Sequence, residues 1–136
     1  MPNNLQQDLH EGGTVTLYNV HERMRGDYSF DLRDRHGVIV PGSVLTAARM
    51  SLYLTSPVGT PVVFVNGRQS QDILNTNNVT IDEAGHLTWD IQSADTAMSD
   101  VTIFFEPRIA VFTLEWPEGL VIHEAAFNVR NIPQAP

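Results

Sequence analysis

Gly85-His86-Leu87-Thr88-Trp89-Asp90-Ile91 is the stretch that decides the fold. Leu87, Trp89 and Ile91 alternate with Thr88 and Asp90, so an extended chain puts the three large apolar side chains on one face and the polar ones on the other. A helix would put Trp89 on the side opposite Leu87 and Ile91. The Asp82-Glu83-Ala84-Gly85 turn precedes the stretch, and Val79 and Ile81 show the same alternation before that turn. The pattern is that of a half-buried strand entered from a tight connection.

The same periodicity extends in both directions. Val15-Thr16-Leu17-Tyr18 reads as a first strand and Tyr28-Ser29-Phe30-Asp31-Leu32 as a second, followed by turns at Arg35-His36-Gly37-Val38 and Pro41-Gly42. Met50, Leu52 and Leu54 alternate with Ser51, Tyr53 and Thr55. Val62 to Val65 form a short apolar run ending at Asn66-Gly67, a strong hairpin signal. Residues 68–77, rich in Asn and Gln, read as a loop. Ser93 to Met98 is the only helical candidate, a single turn opened by Ser93. Residues 101–105 and 109–116 read as two strands separated by Glu106-Pro107, because proline cannot donate within a ladder. In the last strand Val121, His123, Ala125, Phe127 and Val129 share one face. Leu87, Trp89 and Ile91 are expected to meet Phe112, Leu114 and Phe127 in the core.

Short strands separated by turns predict an all-β antiparallel sandwich. The 136 residues suffice for one domain with a real core, and no internal repeat or second domain is evident. The expected division is an N-terminal arm with the first strand over residues 1–26, the sandwich over 27–131, and a tail over 132–136. Residues 1–13 are polar apart from Leu5 and Leu9, which are spaced as one helical face would be. Ordering such an arm requires an outside surface, so it is expected to clip to a neighbouring subunit.

Composition narrows the function. A net charge of −8 removes the cationic field that draws proteins to nucleic acid or anionic lipid. Cysteine is absent, which excludes disulfides, thiolate metal sites and a thiol nucleophile. All eight basic residues are Arg; Arg suits desolvated contacts, although a GC-rich genome gives the same bias. Neither a signal peptide nor a membrane-length apolar run is seen, so a product made and kept in the cytoplasm is expected.

Histidines at 10, 21, 36, 86 and 123 lack the i, i+2 or i+4 spacing of a one-element metal site. His36 and His86 read as solvated turn residues, and His123, sharing a face with Phe127, as a hydrogen-bonded core histidine. Asp31 and Asp34 with Arg33 and Arg35, or Asp82-Glu83 with Asp90, lack calcium-loop spacing. No nucleophile elbow, phosphate loop or dinucleotide fingerprint occurs. No catalytic, cofactor or metal residue is therefore assigned. Trp116, beside Pro117-Glu118-Gly119, is the aromatic expected to be exposed. Asn3, Leu5, Leu9 and Trp116 are the candidate interface residues.

One order of motifs extends this reading: Tyr28-Ser29-Phe30-Asp31-Leu32, Leu52-Tyr53-Leu54, the Gly85 turn into Leu87-Thr88-Trp89, Ser93-Ala94-Asp95-Thr96, a strand ending at Trp116, and Phe127-Asn128-Val129-Arg130. Over about residues 27–131 the chain resembles the Ig-like N-terminal domain of phage upper-baseplate proteins and similar small virion proteins. The resemblance implies an Ig-like sandwich, repeated copies on a virion (capsid decoration, neck or collar, or baseplate), partners among other virion proteins and copies of itself, and no catalytic residues. The competing class is a carbohydrate-binding β-sandwich module, marked by two or three coplanar exposed aromatics.

Overall fold

A computed structural model describes residues 6–9, 14–18, 20–55, 62–98 and 104–131. Among the described residues ten strands form two packed sheets. They are β1 (Gln6–Leu9), β2 (Thr14–Tyr18), β3 (Gly26–Asp31), β4 (Ala47–Leu54), β5 (Val63–Phe64), β6 (Gln71–Asp72), β7 (Val79–Ile81), β8 (His86–Ile91), β9 (Phe105–Trp116) and β10 (Gly119–Arg130). The large sheet runs β1-β2-β10-β9-β4-β5, with β6 also on β4, and the small one runs β3-β8-β7. All pairings among these strands are antiparallel except β2 on β10, which is parallel. This is the β-sandwich that the periodicity predicts.

The core follows the alternation. Leu87, Trp89, Phe112 and Leu114 are fully buried, as is nearly all of Ile91 and Phe127. Trp89 on the small sheet meets Phe112 on the large one edge-on, ring centres 5.9 Å apart at 67°, a favoured aromatic geometry. Phe30 packs edge-on against the same Phe112 at 5.3 Å. The two sheets are thus joined through one aromatic cluster.

Four local readings need correction. Residues 6–9 are strand β1, paired with β2 so that Leu9 lies opposite Val15, and Leu5 lies outside the described residues. Asn66-Gly67 forms a turn with φ of 55° and 67°, closed by Arg68 N–H on the Val65 carbonyl. It is a primed turn, yet it makes no hairpin. Phe64 pairs with Tyr53 and Gln71 with Met50, so both flanks run along the same strand β4 and the turn is a bulge in one edge strand. The helical turn is 3-10, Ser93–Asp95, capped by Gln92 rather than Ser93. Finally, β9 runs through Pro107 without a break. The Pro107 carbonyl accepts from Thr55 N–H, so its missing N–H faces the end of β4, while β10 pairs along its other side. Residues 101–103 lie outside the described residues.

Candidate interaction surfaces

Of the four residues singled out from the sequence, Asn3 and Leu5 lie outside the described residues, and Leu9 sits in edge strand β1. Trp116 ends β9 half-buried against the core rather than projecting into solvent. It lies in register with Gly119 across the Pro117-Glu118 turn. A Cβ on Gly119 would come within 2.6 Å of the indole ring, so only glycine lets the ring settle there.

The histidines divide by environment. His86 Nδ1 is 2.9 Å from Asp31 Oδ1 on an exposed edge. His36 is exposed and accepts from Arg35 Nε at 3.3 Å. His123 stacks on Phe30 with ring centres 3.8 Å apart at 12°, and its Nε2 is hydrogen-bonded to the Tyr28 hydroxyl. Burial pushes His123 down to about 4 and raises the Tyr28 phenol above its ordinary value. His123 is thus neutral near pH 7 and serves the packing between sheets. Among the described residues no three His, Asp or Glu side chains converge as metal ligands would.

The largest polar assembly is buried. Arg68, carried inward by the bulge after β5, is 1% exposed, and Asp95 is fully buried. Arg68 Nε donates to Asp95 Oδ1 at 2.6 Å and Nη2 to Oδ2 at 3.2 Å, while Nη1 donates to Gln71 and to the Asn77 carbonyl. Asp95 also accepts from Asn66 at 2.9 Å and from Gln92 N–H at 2.8 Å. Arg108 on β9 donates to the Asp95 carbonyl at 2.7 Å and pairs with Glu106. Burial draws the Arg108 guanidinium down, and Glu106 opposes that. A multiply bonded network of this kind fixes geometry, although Arg108 Nε is buried in it without a hydrogen-bond partner among the described residues. It ties the bulge on β4 and the turn after β8 to the middle of the large sheet.

The outer face of the large sheet is different. Glu106, Arg108, Ala110, Phe112 and Leu114 face the small sheet, so alternation turns Phe105, Pro107, Ile109 and Val111 outward. The register then places Phe64, Tyr53, Ile109 and Ala126 in one row across four strands. Leu120, Ile122 and Phe105 on the same face are 54%, 58% and 52% exposed. A cavity of about 500 Å³ at the end of this row is lined by Phe105, Pro107, Ala126, Asn128 and Arg130 among others. The solvent side of an antiparallel sheet is ordinarily polar; this one carries an apolar band. Tyr53 and Phe64 meet at 69° and so do not make the coplanar platform expected of a sugar-binding face.

A second cavity, of about 480 Å³, lies where the loop after β3 meets the β9–β10 turn, lined by Asp34, Arg35, His36, Trp116, Glu118, Gly119 and Leu120. Asp34 Oδ1 accepts from His36 N–H at 2.8 Å and Val38 N–H at 3.0 Å. These bonds, Val38 first, hold its carboxyl below the usual range. Gly37, at φ of +80°, lets the loop turn back.

No family model matches the chain. No curated protein matches it. Comparison with solved structures gives the three N-terminal domains of the bacteriophage RB49 Highly Immunogenic Outer Capsid protein (Hoc), at 18% identity and a TM-score of 0.24, over 93% of this chain. The chain spans 37% of the length of that solved chain. A TM-score of this size does not establish a shared fold, and the β-sandwich stands on the strand pairing alone.

Proposed function

We propose that this chain is a non-enzymatic structural and attachment protein of a bacteriophage virion, made in the host cytoplasm and acting through contacts with other virion proteins and copies of itself. The observation that carries the reading is the apolar row Phe64, Tyr53, Ile109 and Ala126 on the outward face of the large sheet, extended by Phe105, Leu120 and Ile122. Contiguous apolar surface on a folded domain marks an interaction site, because leaving it in water forgoes about 25 cal/mol per Å². The motif order over residues 27–131 supports a virion as the setting. Decoration, neck or collar, and baseplate positions are all consistent with a sheet face used for docking.

The N-terminal segment belongs to the same proposal. Among the described residues β1 pairs with β2 and lies at the sheet edge, and an edge strand keeps one side for pairing with a neighbour.

Velocity sedimentation of the recombinant chain with particles purified from the source phage tests the proposal. The wild-type chain should move with particles lacking their own copies, and Ile109→Asp, on the outer face, should stay at the top of the gradient while remaining folded. Equal sedimentation of both would refute the assigned face, and failure of the wild-type chain to bind any particle would refute the virion role.

A further inference from the structure

We propose that the cavity beside Trp116 is a binding site for a neutral saccharide. It lies at the β9–β10 turn, shares only Leu120 with the outer face used for docking, and draws its recognition from Trp116 and the polar groups around it.

The cavity combines three features. Trp116 supplies an aromatic wall whose ring is seated against Gly119, where any side chain would collide with it. Leu120 adds apolar surface. Polar groups of both signs line the cavity, with Asp34 and Glu118 as acceptors and the Arg35 guanidinium, whose Nε is held by His36, as donor. The volume of about 480 Å³ falls within the roughly 300–1,000 Å³ of small-molecule sites, which join an apolar or aromatic wall to a few convergent polar groups.

This inventory selects one ligand class. A cation would suit the tryptophan and two carboxylates but would meet the Arg35 guanidinium. An anion would suit Arg35 but would meet Asp34 and Glu118. A pyranose ring carries no net charge, presents a face of C–H groups that packs on an indole, and offers hydroxyls that each donate and accept. Both rims of the cavity are then used at once. The loop that offers Arg35 and His36 is already folded, since Asp34 clamps the His36 and Val38 amides and Arg33 donates to the Gly37 carbonyl at 2.9 Å. Little ordering cost remains for binding to offset. The site is a single tryptophan with polar partners, unlike the coplanar aromatic platform that the sequence reading required of a carbohydrate-binding module.

Tryptophan fluorescence of the intact chain reads this site directly, because Trp89 is fully buried and Trp116 is the indole open to the cavity. The ligands to titrate are neutral trisaccharides of glucose, galactose, mannose and N-acetylglucosamine, with sialyllactose as the anionic comparison and trilysine as the cationic one. At least one neutral trisaccharide should shift the emission and protect it from acrylamide quenching, with saturation below about 10 mM. Glu118→Ala, in an exposed turn, should weaken that binding about tenfold, and Trp116→Ala should abolish it as read by calorimetry. Absence of binding by every neutral trisaccharide, stronger binding of trilysine or sialyllactose, or unchanged affinity in Glu118→Ala would each overturn the proposal. Particle sedimentation by the wild-type chain is unaffected by any of these outcomes, so the two readings fail separately.

Discussion

Replacing Asp95 by alanine isolates the buried network. The Asp95 carboxylate accepts four hydrogen bonds: two from Arg68, at 2.6 and 3.2 Å, one from Asn66 at 2.9 Å and one from Gln92 N–H at 2.8 Å. With the carboxylate gone, Arg68 stays 1% exposed with only neutral acceptors, Gln71, Asn77 and Asn78. Removing one member of a buried ion pair costs about 3–5 kcal/mol, largely through the charge left behind. Against a typical total of roughly 5–15 kcal/mol, this is a large share of the stability. At about 3–5 °C per kcal/mol for a domain of this size, the melting temperature should fall by about 10–20 °C. Differential scanning calorimetry measures it, with urea midpoints as a second reading. Arg68→Met combined with Asp95→Leu removes both charges and should recover part of the loss. A single Asp95→Ala variant melting within about 2 °C of wild type, or a double variant no better than the single, would refute the buried-charge reasoning.

Acidification should act through His123. The unfolded chain takes up a proton on this ring near pH 6.5, whereas the folded chain resists until about 4. Stability should therefore fall as pH drops from about 6.5 to 4, by at most about 3 kcal/mol, and level off below that. In His123→Gln the difference should vanish, and an identical pH profile in the two proteins would contradict the assignment. Trp89→Ala empties a fully buried aromatic site and should cost about 3–5 kcal/mol in urea unfolding; a midpoint like wild type would sink the core placement. Deleting residues 2–13 should lower the melting temperature by only a few degrees, since β2 keeps its partner β10, yet prevent incorporation into particles. A truncated chain that unfolds, or that assembles at full occupancy, would show the arm has another role.

Strands were legible wherever one face is buried. In Leu87, Trp89 and Ile91 the two-residue period is itself the record of a sheet with a core on one side. It failed where a residue's environment depends on something distant. Arg68 stands in a polar stretch that reads as solvated loop, and its burial rests on Asp95, 27 positions away. Pro107 reads as a breaker because the rule concerns a lost donor, and only the position of the end of β4 shows that no partner needs it. The outer-face row did leave a trace. Ile109-Ala110-Val111-Phe112 is apolar without alternation, as expected of a strand covered on both sides. Trp116 was singled out, but its neighbours Asp34, Arg35 and His36 lie some eighty residues earlier, and chain folding alone brings them together.

Carboxyl-directed cross-linking of intact particles, read by mass spectrometry, tests the central claim most directly. The chain contains no lysine, so amine chemistry would miss its surface, whereas Glu115 and Glu124 lie on the outer face of the large sheet beside the apolar row. The account predicts cross-links from Glu115 and Glu124 to other virion proteins or to a second copy, with Asp82 and Glu83, on the turn of the small sheet, left unlinked. Cross-links confined to Asp82 and Glu83, or particles that do not contain the chain, would contradict it.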